Sequence, residues 1–122
     1  MQQKALHTRL IREEARRLGF SFVGFAKAAR LDEEARRLEA WLNKGQHGRM
    51  GYMENHFEKR VDPRKLVPGA KSVVMLMYNH YTDQKQEDPA APKISKYAYG
   101  KDYHFVLKDK LKTLFNFIQS EI

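Results

Sequence analysis

The run Ser72-Val73-Val74-Met75-Leu76-Met77-Tyr78 (SVVMLMY) is continuously apolar after its first residue. It lacks the alternation of a half-solvated strand, so it predicts a central strand covered on both faces. Upstream, Phe20 to Ala26 (FSFVGFA) is short, apolar and rich in aromatics, and predicts a partner strand. Before it, Leu6, Leu10, Ile11, Ala15 and Leu18 recur at three- and four-residue spacing, the stripe of an amphipathic helix. Gly19 stands where a left-handed residue would end that helix. Downstream, Asn79 to Pro92 is polar and carries proline, which predicts a surface excursion. Lys93 to Ala98 is expected as a third short strand. Asp102 or a neighbour then caps a last helix with Val106, Leu107, Leu111, Leu114, Phe115 and Ile118 as its stripe.

Between the two main strands, Asp32 is the expected N-cap of a helix with Glu33 and Glu34 in its first turn. Ala35, Leu38, Trp41 and Leu42 form its apolar stripe, and Lys44-Gly45 closes it. From Gln46 to Arg64 the pattern breaks into glycines, methionines, aromatics and charges, with a helical turn expected near Tyr52–Phe57. Strands interleaved with helices give an α/β (α+β layered) domain, a small sheet flanked by helices. Two or three strands leave edges and faces open, so self-association through an exposed sheet edge or face is expected.

The 122 residues carry 23 Lys+Arg against 15 Asp+Glu, a formal charge of +8. Both halves of the chain are basic, with signs mixed locally, a balance that suits an anionic partner such as tRNA or a phosphorylated cofactor. An apolar share of 42% excludes a disordered chain. No apolar run approaches the ~20 residues that span a bilayer, which predicts a cytoplasmic protein without a membrane partner. Cysteine is absent, so these residues hold no disulfide, thiol nucleophile or cysteine-bound cluster. There is no GxGxxG or Walker loop and no HExxH, and the five histidines show no metal-ligand spacing.

Two stretches are costly to explain as packing. In Glu58-Lys59-Arg60-Val61-Asp62-Pro63-Arg64, Arg60 is read as sitting in irregular backbone before a proline turn, where a guanidinium can be held towards an anion or amide oxygens. Solvated loop charges are the plainer reading of that spacing. In Ile94–His104 (ISKYAYGKDYH), two lysines, three tyrosines, a glycine and a histidine gather at the start of a helix. Gly100 permits close backbone approach, and the rings suit the wall of a pocket for a flat ligand. The alternative is a capped helix start with exposed tyrosines. His104 is the one histidine set in such a segment.

Four segments in one order resemble the N-terminal region of the epoxyqueuosine reductases. They are LGFSFVGFAKA, EEARRLEAWLNKGQHGRMGYM, EKRVDPRKLVPGAKSVVMLMYNHY and KYAYGKDYHFVLKDKL. The resemblance implies a cobalamin-binding domain similar to those of reductive dehalogenases, incomplete within residues 1–122. It further implies a domain with two 4Fe-4S clusters, and reduction of epoxyqueuosine to queuosine in the tRNA anticodon. By motif position Arg60 and Ser95 are implied cobalamin contacts, and Tyr103 and His104 cleft residues. Lys96 and Lys101 add hydrogen-bond donors, and Tyr97 and Tyr99 add rings, from the same segment. The family's proton-donating aspartate and cluster cysteines match no residue here, so no catalytic or metal-ligating residue is assigned, and these residues alone are expected to be inactive. A non-catalytic basic module for RNA or another anionic partner is the alternative.

Overall fold

The backbone N–H of Ser21 donates to Met77 O and that of Ala28 to Lys71 O, both at 2.9 Å. The first joins the start of β1 (Phe22–Lys27) to the end of β2 (Ser72–Met77) and the second the end of β1 to the start of β2, so the strands run antiparallel in a two-stranded sheet. The computed structural model describes all 122 residues, and the fold is α+β, with five α-helices and these two strands. It divides into two units, Met1–Gly24 with Met75–Ile122, and Phe25–Val74.

In the first unit, α1 (Gln2–Arg17) packs against α5 (Tyr103–Glu121). Ala15, Phe20, Val23 and Leu114 form its buried core. The chain leaves α1 through Leu18 and Gly19, the latter at φ +95°, as the glycine signal predicts. The Lys110 ammonium on α5 donates to the Leu18 carbonyl, which has no partner within the helix, and lies 5.5 Å from the Tyr78 ring centroid. Asp102 caps α5 by accepting the His104 N–H at 2.9 Å, as expected.

In the second unit, α2 (Asp32–Asn43) packs on α3 (Phe57–Val61), which is followed by α4 (Pro63–Leu66). Leu31, not Asp32, is the N-cap of α2. The Leu31 carbonyl accepts the Ala35 N–H and its own N–H donates to Val61 O, both at 2.8 Å, while the Asp32 carboxylate is taken by Arg30 at 2.8 Å. Asp62 is buried and caps α4 by accepting the Arg64 N–H at 3.0 Å. The Arg64 guanidinium closes a fork on the same carboxylate, with both bonds at 2.9 Å. That fork holds the Asp62 carboxyl below its usual range. His47 is buried beside Trp41, ring centroids 5.6 Å apart, and its Nε2 meets Glu54 at 2.8 Å.

Two further expectations fail. β2 is not covered on both faces: Met75 and Met77 are more than half exposed, because a sheet of two strands has no central strand. Lys93–Ala98 is not a strand but ends in a 3₁₀ turn at Lys96–Ala98. The Gln86 side-chain amide takes the backbone groups a ladder would have used, donating to Pro92 O at 2.8 Å and accepting from the Ile94 N–H at 3.0 Å.

Gly19→Ala is expected to destabilise the first unit by about 1–2 kcal/mol, because an L-residue at this φ is strained while its Cβ would meet nothing closer than 3.5 Å. Chemical denaturation checks it. An unchanged midpoint would show that the backbone relaxes there. For Asp62, a folded pKa below the unfolded one means stabilisation present above the ordinary carboxylate range and lost as pH falls through the folded value. Thermal unfolding across an acid pH series is expected to show a shallower pH dependence for Asp62→Asn than for the wild type, with a lower midpoint at neutrality.

Candidate functional site

Tyr78 directly follows β2, and His80 comes two residues later. Their centroids lie 5.4 Å apart, edge to face, and His80 meets Tyr103 at 5.1 Å. Tyr97 joins Tyr103 at 5.8 Å, and His104 stacks on Tyr103 at 4.1 Å. Inward of these, Phe20 from the buried core meets Tyr78 at 6.1 Å. A connected series of rings thus runs from the core to the start of α5, each pair near the edge-to-face or stacked geometry that ring quadrupoles favour.

A cavity of about 270 Å³ opens on these rings, walled by Tyr78, Tyr81, Tyr97 and Tyr103, with Lys96 and Lys101 at its edge. Gly100 lines it at φ +72°, where a side chain would be strained. The Lys96 ammonium donates to Thr82 O and sits 4.3 Å from the Tyr81 ring centroid. Lys101 pairs with Asp109 across the first turn of α5 at 3.9 Å. Ser95 is the extended residue before the 3₁₀ turn; its carbonyl accepts the Ala98 N–H at 2.9 Å and its hydroxyl caps nothing. Of the residues singled out by sequence, the first unit therefore gathers Lys96, Tyr97, Tyr103 and His104 around one aromatic cluster.

Arg60 belongs to the second unit and stands in α3, not in irregular backbone. Extended Asp62 separates this helix from α4, which Pro63 opens, so two short helices occupy a segment whose spacing shows no periodic stripe. Arg60 Nε donates to Asn55 O at 2.8 Å and Nη2 to Tyr52 O at 3.1 Å. Both bonds pin the 3₁₀ turn Gly51–Glu54 and the residues after it, where His56 adopts φ +57° as the N-cap of α3. His56, Lys59 and Arg60 line one open basic pocket with Leu66.

Sequence reasoning missed Tyr78, His80 and Tyr81 as wall residues. Tyr78 was absorbed into a strand and the other two into a surface excursion. The usable signal for Tyr78 and His80 was their spacing of two just past the strand end; Tyr81 falls outside that spacing. No group of three or more His, Cys, Asp or Glu side chains is arranged to hold a metal ion.

An aromatic cavity edged by lysines thus lies at the start of a helix in an α+β domain. The chain belongs to the family described as epoxyqueuosine reductase QueG, DUF1730, whose model matches residues 60–122. It is 57% identical over 117 residues to an epoxyqueuosine reductase of Cyclobacterium marinum, covering 95% of this chain and 38% of that protein. An epoxyqueuosine reductase of Cellulophaga algicola is 56% identical along the whole chain, which spans 40% of it. A solved selenomethionine-labelled epoxyqueuosine reductase superposes with TM-score 0.80 at 31% identity, over 93% of this chain and 31% of the other. Another, solved with an epoxyqueuosine-modified tRNA-Tyr stem loop, gives TM-score 0.76 at 31% identity, over 94% of this chain and 32% of that one. The chain thus spans well under half the length of these relatives.

Arg60→Ala is expected to free the backbone it pins, raising amide hydrogen exchange at residues 52–56 about tenfold while the rest of the unit keeps its protection. Exchange measured by mass spectrometry checks this, and unchanged rates there would show that the two bonds do not order the turn.

Proposed function

We propose that this chain is the N-terminal part of an epoxyqueuosine reductase, the front of its cobalamin-binding domain. In the complete protein, epoxyqueuosine in a tRNA anticodon becomes queuosine: two electrons and two protons enter, the epoxide carbons form an alkene, and the oxygen leaves as water. The observation that carries this reading is the 57% identity along nearly the whole chain to an epoxyqueuosine reductase. The catalytic aspartate and the 4Fe-4S domain are placed in the part of such a protein beyond these residues.

The residues present fit cobalamin in chemistry and in part of its size. A cavity of about 270 Å³ with aromatic walls admits an edge of a corrin and its amide groups, not the whole macrocycle. Lys96, Tyr97 and Tyr103 would hold such an edge, with Ser95 offering a hydroxyl and His104 stacked behind Tyr103. Arg60, its Nε and one Nη2 bond committed to backbone, keeps Nη1 for an amide or phosphate oxygen. When bound and reduced, cobalamin would supply the electrons for opening the epoxide. The basic surface, +8 for the chain, would draw tRNA. No helix is long and apolar enough to cross a membrane, and a tRNA-directed reaction suits the cytoplasm. Exposed Phe22, Met75 and Met77 support self-association of the isolated residues through the sheet.

The test uses the full-length protein, a chemical reductant and an epoxyqueuosine-modified anticodon stem loop. Mass spectrometry is expected to show loss of one oxygen from the RNA, and cobalamin absorbance retained after gel filtration is expected to fall severalfold in Arg60→Ala. RNA bound without loss of oxygen would favour the non-catalytic module instead.

A further inference from the structure

One carboxylate oxygen fixes both the start of α5 and the ring of its second residue. Asp102 Oδ1 accepts the His104 backbone N–H at 2.9 Å and meets His104 Nδ1 at 2.8 Å. An ionised carboxylate only accepts, so Nδ1 carries a hydrogen. In the neutral ring Nε2 is then a bare acceptor. Stacking on Tyr103, centroids 4.1 Å apart and planes 28° apart, fixes the ring plane, and His80 and Tyr97 brace Tyr103 in turn. The His104 side chain is nevertheless 72% exposed. It lines a cavity of about 320 Å³ with Tyr97, Gly100 and Tyr103.

The ligand class follows from charge. A helix start ordinarily favours an anion, but here Asp102 already occupies it. The His104 backbone N–H, then its ring, hold the Asp102 carboxyl below the usual range, so that charge persists through neutrality. A phosphate would meet it; a neutral hydroxyl would not. We propose that His104, positioned by Asp102, accepts a hydrogen bond through Nε2 from a hydroxyl of the modified nucleoside, so that the pair recognises the hydroxylated ring and not the RNA backbone. This rests on the functional reading above.

Two measurements on the full-length protein test it. In nitrogen-15 histidine spectra, the wild type is expected to show the Nδ1–H tautomer of His104. Asp102→Asn, which keeps the helix cap, is expected to shift population towards Nε2–H. A wild-type ring that is mainly Nε2–H would overturn the dyad. In binding, fluorescence anisotropy compares a stem loop carrying epoxyqueuosine with the same loop carrying guanosine. His104→Phe keeps the stacking ring but has no Nε2, and is expected to lose about tenfold of the wild-type preference, one neutral hydrogen bond's worth. Equal loss of affinity for both loops, or an unchanged preference, would overturn the inference alone. A wild type without preference would overturn the functional reading with it.

Discussion

A backbone N–H or C=O outside a helix or ladder needs a partner, and a sheet of two strands leaves many such groups to be satisfied. In this chain side chains do it. Arg60 donates to the Asn55 and Tyr52 carbonyls, Lys96 to Thr82 and Lys110 to Leu18. Gln86 serves both Pro92 and Ile94, and the two capping aspartates take the Arg64 and His104 N–H groups. Of these, the Lys96 bond to Thr82 and the Gln86 bond to Ile94 join residues that line pockets.

That constraint explains what could be read from the chain and what could not. Signals confined to a few residues were legible: the stripe of α1, Gly19 after it, Asp102 before α5, and both strands. Their physics is local, set by periodicity and by φ. The third strand failed because Gln86, eight residues before Ile94, captured its backbone, and no propensity at residues 93–98 encodes that. Leu31 took the cap expected of Asp32 because Val61, thirty positions on, accepts its N–H, and Arg30 claims the carboxylate. Local preference lost to a non-local partner in both cases.

The site was legible in composition and not in use. ISKYAYGKDYH does line a pocket, but Lys96, read as a hydrogen-bond donor, gives one hydrogen to Thr82 and sits over the Tyr81 ring. Arg60 was expected in irregular backbone, and it stands in a short helix with two of its N–H groups spent on the preceding turn. Such commitment does not disqualify either residue from meeting a ligand. A guanidinium immobilised by two backbone bonds loses less entropy when it accepts a third partner than a freely rotating one does.

Asp102 shows how far this economy goes. Its single oxygen ends the disorder of a helix start and of an imidazole at once, so the stability of α5 and the orientation of His104 share one group. Separating them requires a side chain that caps without a charge, and asparagine meets that requirement. The same logic sets Asp62 apart. There the carboxylate is buried and both its oxygens are taken by the guanidinium fork of Arg64, so the pair closes on itself. At Asp102 the partner is an exposed ring with a second nitrogen. Two capping aspartates with similar local geometry therefore differ in chemical consequence: one ends in a closed ion pair, and the other continues through an aromatic ring into a cavity.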